Sequence, residues 1–235
     1  MSWNPQAIDP DWPYDLMATS FEIDRNAIAL LIIDMQAKDM RIEADSEMAR
    51  RHPHVATYWN DRIEGIVIPN IRALIDTFRA GTRKIIYTRN GHTTSTGHQV
   101  TARLKRKRLS RTGPAYDRSS PGYDVEPRLA PRAEDLVVDK LTSGAFTASF
   151  LDHALRNMGI RTLIITGVLT DMCVLGTARA ASELGYDTLI CENACATCTQ
   201  RAHTEALLVH ARGFGRVTTT QQAMDELNKK QLNER

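Results

Sequence analysis

The run "NAIALLIIDMQ", from Asn26 to Gln36, is apolar without interruption until Asp34. A continuous run of that length suits a strand buried on both faces, as in a parallel sheet. The same signature recurs in "RKIIYT", "EDLVVDK", "RTLIITGV" and "YDTLICEN", with a shorter last strand in "GRVTTT". Between these runs the apolar positions change to helical spacing. "IEGIVIPNIRALIDTFRAG" stops at Gly81, "TASFLDHALRNMG" at Gly159, "CVLGTARAASELG" at Gly185, and "QRAHTEALLVHARG" follows the fifth strand. Strands alternating with helices imply right-handed βαβ crossovers. The expected fold is α/β: three αβα layers around a central, mostly parallel six-stranded sheet. Neither an internal repeat nor an interdomain linker is visible, so residues 1–235 are expected to form one domain.

Three stretches lack this regularity. Residues 1–25 carry Pro5, Pro10 and Pro13 and are expected to form an extended arm. Residues 35–60 are polar and have the length of an active-site loop. Residues 89–133 form a long, Gly/Pro-punctuated insertion in which basic residues crowd between Arg103 and Arg111. That basic stretch reads as a solvated face, a rim attracting anionic substrates, or a subunit contact. With 42% apolar residues the chain can bury a sizeable core, and a formal net charge of +2 argues against a general nucleic-acid or membrane binder. No secretory signal is visible and no apolar run can span a bilayer, so a cytoplasmic protein is expected. Four cysteines make no disulfide framework.

Ligands of open α/β sheets bind beyond the carboxyl ends of the strands. Three reactive side chains fall at three such ends. Asp34 follows "ALLII", Lys140 follows "LVVD", and Cys173 opens the helix after "TLIITG". An unperturbed thiol ionises near pH 8.5, and a helix N-terminus and a nearby ammonium both favour its thiolate. Asp34 can take the thiol proton and pass it to a leaving group, and the Cys173 N–H can face a developing oxyanion. Taken singly, each residue also fits a structural role: Cys173 as a small core filler, Asp34 as a cap, Lys140 as a solvated ammonium.

"LLIIDMQ", "VVDKLTSGAF" and "TGVLTDMCVLGTARAA" together resemble the isochorismatase-like cysteine hydrolases, in the family's order and from about Asn26 to Val217. The resemblance implies a catalytic triad of Asp34, Lys140 and Cys173. It also implies a non-proline cis peptide between Val168 and Leu169, with the Leu169 and Cys173 amides as the oxyanion hole. Position 169 departs from the small or polar residue commoner there, and Leu169 is expected to narrow the pocket. Isochorismatase itself lacks the cysteine nucleophile, so Cys173 points to C–N hydrolysis through a thioester. The nicotinamidase branch uses a metal site with an Asp-x-His pair, and no Asp-x-His occurs here. Neither a metal nor a cofactor is expected. "DPDWPYD" and "YTRNGH" look more like the biuret, ureidoacrylate and N-carbamoylsarcosine amidohydrolases. After "DMQ", however, the chain reads "AKDM" where many relatives have Asp-Phe.

In the frame of that resemblance, Gln36, Arg89, Asn90, His92 and Thr170 lie just beyond strand ends and are the candidate substrate contacts, Arg89 suiting a carboxylate. Each also fits a cap or a loop hydrogen bond. The expected reaction is cleavage of a small polar carbamoyl or urea-like compound. A nicotinamidase-like amidase and a non-catalytic scaffold remain as alternatives. The resemblance and the long arm imply a homodimer or homotetramer. Cys191, Cys195 and Cys198, which include one Cys-x-x-Cys pair, are expected to be reduced thiols, and His203 and His210 to be structural.

Overall fold

The computed structural model describes residues 3–106 and 116–229. Six strands form one sheet: β1 Ile28–Ile33, β2 Lys84–Asn90, β3 Leu136–Lys140, β4 Thr162–Val168, β5 Asp187–Ala196 and β6 Arg216–Thr218. Their order is β3-β2-β1-β4-β5-β6, and every pairing is parallel. The strand order therefore reverses between β1 and β4, which is where such sheets open a crevice at their carboxyl edge.

β1 shows why its run is unbroken. Ile28, Leu30 and Ile32 join one apolar cluster with Trp59, Ile63, Ile71, Leu74 and Phe78. Ala29, Leu31 and Ile33 join another with Leu151, Leu155, Val174, Ala178 and Ala181. Alternate side chains point to opposite faces, and both faces are covered by helices.

The helix expected to begin near Ile63 starts ten residues earlier. Pro53 occupies the first helical position of Pro53–Arg62, where its missing N–H is no loss. The chain continues through one widened π turn, Ile63–Val67, into Ile68–Ala80. Pro69 lies just past that turn and removes one donor from the ladder. Together with the helix Glu47–Arg51, this replaces half of the irregular loop expected over residues 35–60. A last helix, Thr220–Asn228, is one the apolar spacing does not announce, although Thr219 and Gln222 form a reciprocal capping box at its start.

The N-terminal arm is not wholly extended. It contains the single-turn helices Pro5–Ile8 and Tyr14–Met17, and Trp12 and Tyr14 pack against Leu208 and Ala211. In the insertion, the described residues after position 115 fold over the ends of β1 to β3. Tyr123 is buried there, and its hydroxyl donates to Asp139 at 3.0 Å. Residues 107–111 of the basic stretch lie outside the described residues; Arg103, within them, donates to Ser143 Oγ at 2.8 Å. Among the described residues no helix is long and apolar enough to cross a membrane.

Candidate active site

Asp34 is the first residue beyond β1 and has a φ of 52°, a region that Asp enters more readily than most residues. Its backbone N–H donates to the Thr88 carbonyl at 3.1 Å, which ties the turn to β2. Its carboxylate is held from the next two strands. Thr88 Oγ1 on β2 donates to Oδ1 at 2.7 Å, and Lys140 Nζ at the end of β3 donates to Oδ2 at 2.7 Å. Lys140 thus reaches across two interstrand spacings, each about 4.8 Å. Its other two donors go to the carbonyls of Thr142 and Ser143 at 2.9 and 3.0 Å. An ammonium has three N–H groups, so these three oxygens satisfy it completely. Lys140 therefore acts on any neighbouring thiol through its charge and through Asp34, not through a hydrogen bond of its own.

On the other side of the strand-order reversal, β4 ends at Val168 and the Val168–Leu169 peptide is cis. The close approach of β1 and β4 here depends on Gly167. Its φ is 107°, and a Cβ built on it would lie 2.1 Å from the Ile33 carbonyl oxygen. The chain then makes one π turn, Thr170–Val174, before the helix Leu175–Glu183. Val174 N–H and Met172 N–H both donate to Leu169 O, at 3.1 and 3.0 Å. Cys173 lies in this widened turn, two residues ahead of the regular helix.

Asp34, Leu169 and Cys173 line one cleft of about 580 Å³. Cys173 is only 3% exposed, packs on the apolar cluster beneath it and lines this cleft. Lys140 does not line the cleft and lies behind Asp34. None of the four cysteines is disulfide-bonded. Burial raises the Cys191 thiol well above its ordinary value and pushes Cys195 up to about 12, which makes both inert.

The five candidate substrate contacts do not line this cleft. Gln36 is a strut: its Nε2 donates to Tyr123 O at 2.6 Å and its Oε1 accepts from Asn90 N–H at 2.8 Å. Arg89 donates to Asp139 through Nε at 2.9 Å and to Asp124 through Nη1 at 2.6 Å. The Asn90 amide donates to Thr142 O at 3.0 Å. His92 Nδ1 lies 2.8 Å from Thr94 O and 3.7 Å from Asp117. Thr170 Oγ1 lies 2.8 Å from His203 Nδ1. The cleft is walled instead largely by the stretch over residues 35–60 that has the length of an active-site loop, through Lys38, Arg41, Glu43, Met48 and Trp59, together with Tyr116. The helices Glu47–Arg51 and Pro53–Arg62 bring two of them there. A Trp on a helix face has no sequence signal that separates a cleft wall from a core position. Thr88 is more legible: a hydroxyl inside a strand buried on both faces must find a partner.

Behind the π turn runs a buried polar chain. Arg62 donates to His203 Nε2 at 2.8 Å, to Cys195 O at 2.9 Å and to Glu192 O at 2.9 Å. Since His203 Nε2 accepts from Arg62, its Nδ1 carries the proton and donates to Thr170. Burial lowers the His203 pKa, and burial brings His210 down to about 4. Both histidines thus stay neutral in the fold at pH values where unfolded histidine, near 6.5, is protonated. Their contribution is complete above about pH 6.5 and is lost as pH falls. For His210 the loss amounts to about 3 kcal/mol between pH 7 and pH 4. Urea unfolding at pH 7 and pH 5 is expected to show the decline, and a His210→Gln variant to show a shallower one.

Among the described residues no group of three or more His, Cys, Asp or Glu side chains could hold a metal ion.

A parallel sheet with this order, carrying an acid, a buried lysine and a cysteine turn across its reversal point, defines an isochorismatase-like hydrolase. The family model described as the Isochorismatase domain matches residues 28–222, and the chain belongs to that family. It is 26% identical over 220 residues to the isochorismatase family protein YwoC of Bacillus subtilis, covering 90% of this chain and 100% of that one. It is 33% identical over 131 residues to the ureidoacrylate amidohydrolase RutB of Serratia proteamaculans; that match spans 51% of this chain and about half of the relative, 53%. The structure of a cysteine hydrolase from Pseudomonas syringae pv. phaseolicola superposes with a TM-score of 0.72 at 22% identity, covering 89% and 96% of the two chains, a likeness of fold.

Proposed function

We propose that this chain hydrolyses a C–N bond of an amide or ureide, with Cys173 as nucleophile. The observation that carries this reading is the meeting of Asp34, Leu169 and Cys173 in one cleft, with Lys140 fixing the Asp34 carboxylate from behind. Asp34 takes the thiol proton as Sγ attacks the carbonyl carbon. The oxyanion is met by the Leu169 and Cys173 amides. The C–N bond breaks as Asp34 gives that proton to the leaving nitrogen, which leaves a thioester. Water, deprotonated by Asp34, then adds to the thioester. The C–S bond breaks, the thiolate recovers its proton, and an acid departs. The sum is one water consumed, one amine or ammonia released and one carboxylic or carbamic acid formed. The partial match to a ureidoacrylate amidohydrolase favours amide chemistry over that of a scaffold.

The test is an ammonia-release screen over ureides, N-carbamoyl compounds and primary amides, run with and without EDTA, with intact-mass detection of an acyl adduct on Cys173. Turnover that EDTA leaves unchanged and an adduct on the Cys173 peptide are expected. Ammonia release without any adduct, or release that only a divalent ion restores, would contradict the thioester route.

A further inference from the structure

We infer that Arg62, His203 and Thr170 form a positioning relay: through them the helix Pro53–Arg62, which carries Trp59 into the cleft wall, holds the oxyanion-hole peptide in line. This inference rests on the hydrolase reading above and names residues that act on its site without touching the substrate. The reaction as written uses none of the three, and none of them lines the cleft. Yet His203 is 1% exposed and Arg62 8%, and Thr170 is fully buried. Burying a cation and an imidazole costs free energy unless their polar atoms are partnered. The partners come from the helix Pro53–Arg62, from β5, from the helix Gln200–Gly213 and from the π turn, so the relay joins elements distant in sequence.

The direction of the hydrogen bonds sets each group in turn. A guanidinium only donates, so His203 Nε2 accepts from Arg62 and Nδ1 donates to Thr170. Thr170 adjoins Leu169, whose N–H is the proposed oxyanion donor. The next residue is tethered as well, because Asp171 Oδ1 accepts from Thr197 Oγ1 at 2.5 Å. Thr197 is buried and follows β5 directly. The regular helix begins only at Leu175, beyond Cys173. Side chains reaching in from the end of β5 and from the helix Gln200–Gly213 therefore fix residues 170 and 171, ahead of any regular helix. Arg62 stands one helical turn after Trp59, and its guanidinium also donates to Cys195 O and Glu192 O on β5, the strand paired with β4. The cleft wall and the turn that carries the nucleophile thus share one frame. An oxyanion donor acts only within a narrow range of distance, so a small shift of that frame is felt as a loss of rate.

The test compares two reactions of the same thiol, both followed on the Cys173 peptide by mass after an acid quench. Acetylation by p-nitrophenyl acetate moves the acetyl group to Sγ and releases p-nitrophenolate through a tetrahedral oxyanion. Alkylation by iodoacetamide displaces iodide directly and forms no oxyanion. The ratio of the two rates therefore reads the oxyanion hole apart from the reactivity of the thiol. Thr170→Val, which exchanges a hydroxyl for a methyl of similar shape, should lower the ratio about tenfold, and His203→Leu on the order of 10²-fold. Arg62→Met should lower it too, since without that donor nothing fixes the His203 tautomer. Alkylation by itself should stay within about twofold of wild type, because Asp34 and Lys140 are untouched. His203→Gln should recover most of the ratio: its Oε1 can accept from Arg62 and its Nε2 can donate to Thr170. A purely structural role would lower the urea midpoint and leave the ratio unchanged. An unchanged ratio in folded Thr170→Val, or a Gln variant as low as the Leu variant, would overturn the relay alone. A wild-type Cys173 inert to both reagents would instead overturn the hydrolase reading on which it rests.

Discussion

Cys173→Ala is expected to abolish hydrolysis while the protein stays folded. The substitution removes one sulfur from a turn whose shape is set by other groups. Leu169 O holds the Met172 and Val174 amides, and Thr170 is fixed by His203. The cost in stability is therefore of the ordinary size for a point variant, about 1 kcal/mol. The loss in kcat/KM should be on the order of 10⁴-fold or more, since no covalent intermediate can form without the nucleophile. Activity is read by ammonia release and folding by the urea midpoint. A variant that retains a tenth of the activity would remove the assignment of Cys173 (about tenfold against about 10⁴-fold). Cys173→Ser should rescue poorly, because a hydroxyl is far harder to ionise than a thiol.

Lys140→Met is expected to lower the unfolding free energy by about 3–5 kcal/mol, the cost of leaving one member of a buried ion pair without its partner. Lys140 is among the largest fully buried side chains, and Asp34 is 4% exposed. The variant leaves the Asp34 Oδ2, Thr142 and Ser143 oxygens without their shared donor. The double variant Asp34→Asn/Lys140→Met should be less destabilised than the sum of the single variants, because it no longer buries an unpaired charge. Additive effects in that cycle would mean that the pair is not coupled. Activity should fall in every member of the cycle, since Asp34 loses either its charge or its anchor.

The strand runs, their parallel arrangement and the three reactive residues at strand ends are legible in the sequence because each rests on a local regularity. An apolar run of six residues, such as Ile28–Ile33, admits few structures other than a strand covered on both faces. Asp34 and Lys140 each end such a run with a charge, which marks the carboxyl edge. The motif around Cys173 adds a spacing that a single strand-turn-helix unit must satisfy. The stretch over residues 35–60 is legible as a loop near the site, but which side chains face the cleft is not. Gln36, Arg89, Asn90, His92 and Thr170 have the right chemistry and lie near the right edge, yet their polar groups are taken up by backbone groups of Tyr123, Asn90, Thr142 and Thr94, by Asp139 and Asp124, or by His203.

The sequence by itself determined which residues carry reactive groups and which end of the sheet they reach, because strand periodicity and chain direction are properties of contiguous residues. Only the tertiary structure decided who meets whom. The strand order places β1 beside β4, so that Asp34 and Cys173, 139 positions apart in the sequence, share one cleft. It also spaces β3 two strands from β1, which puts Lys140 behind Asp34 instead of in the cleft. Whether a polar side chain faces a substrate or a neighbouring strand is settled by long-range packing. Every buried donor must find an acceptor, and the partners it finds are distant in sequence.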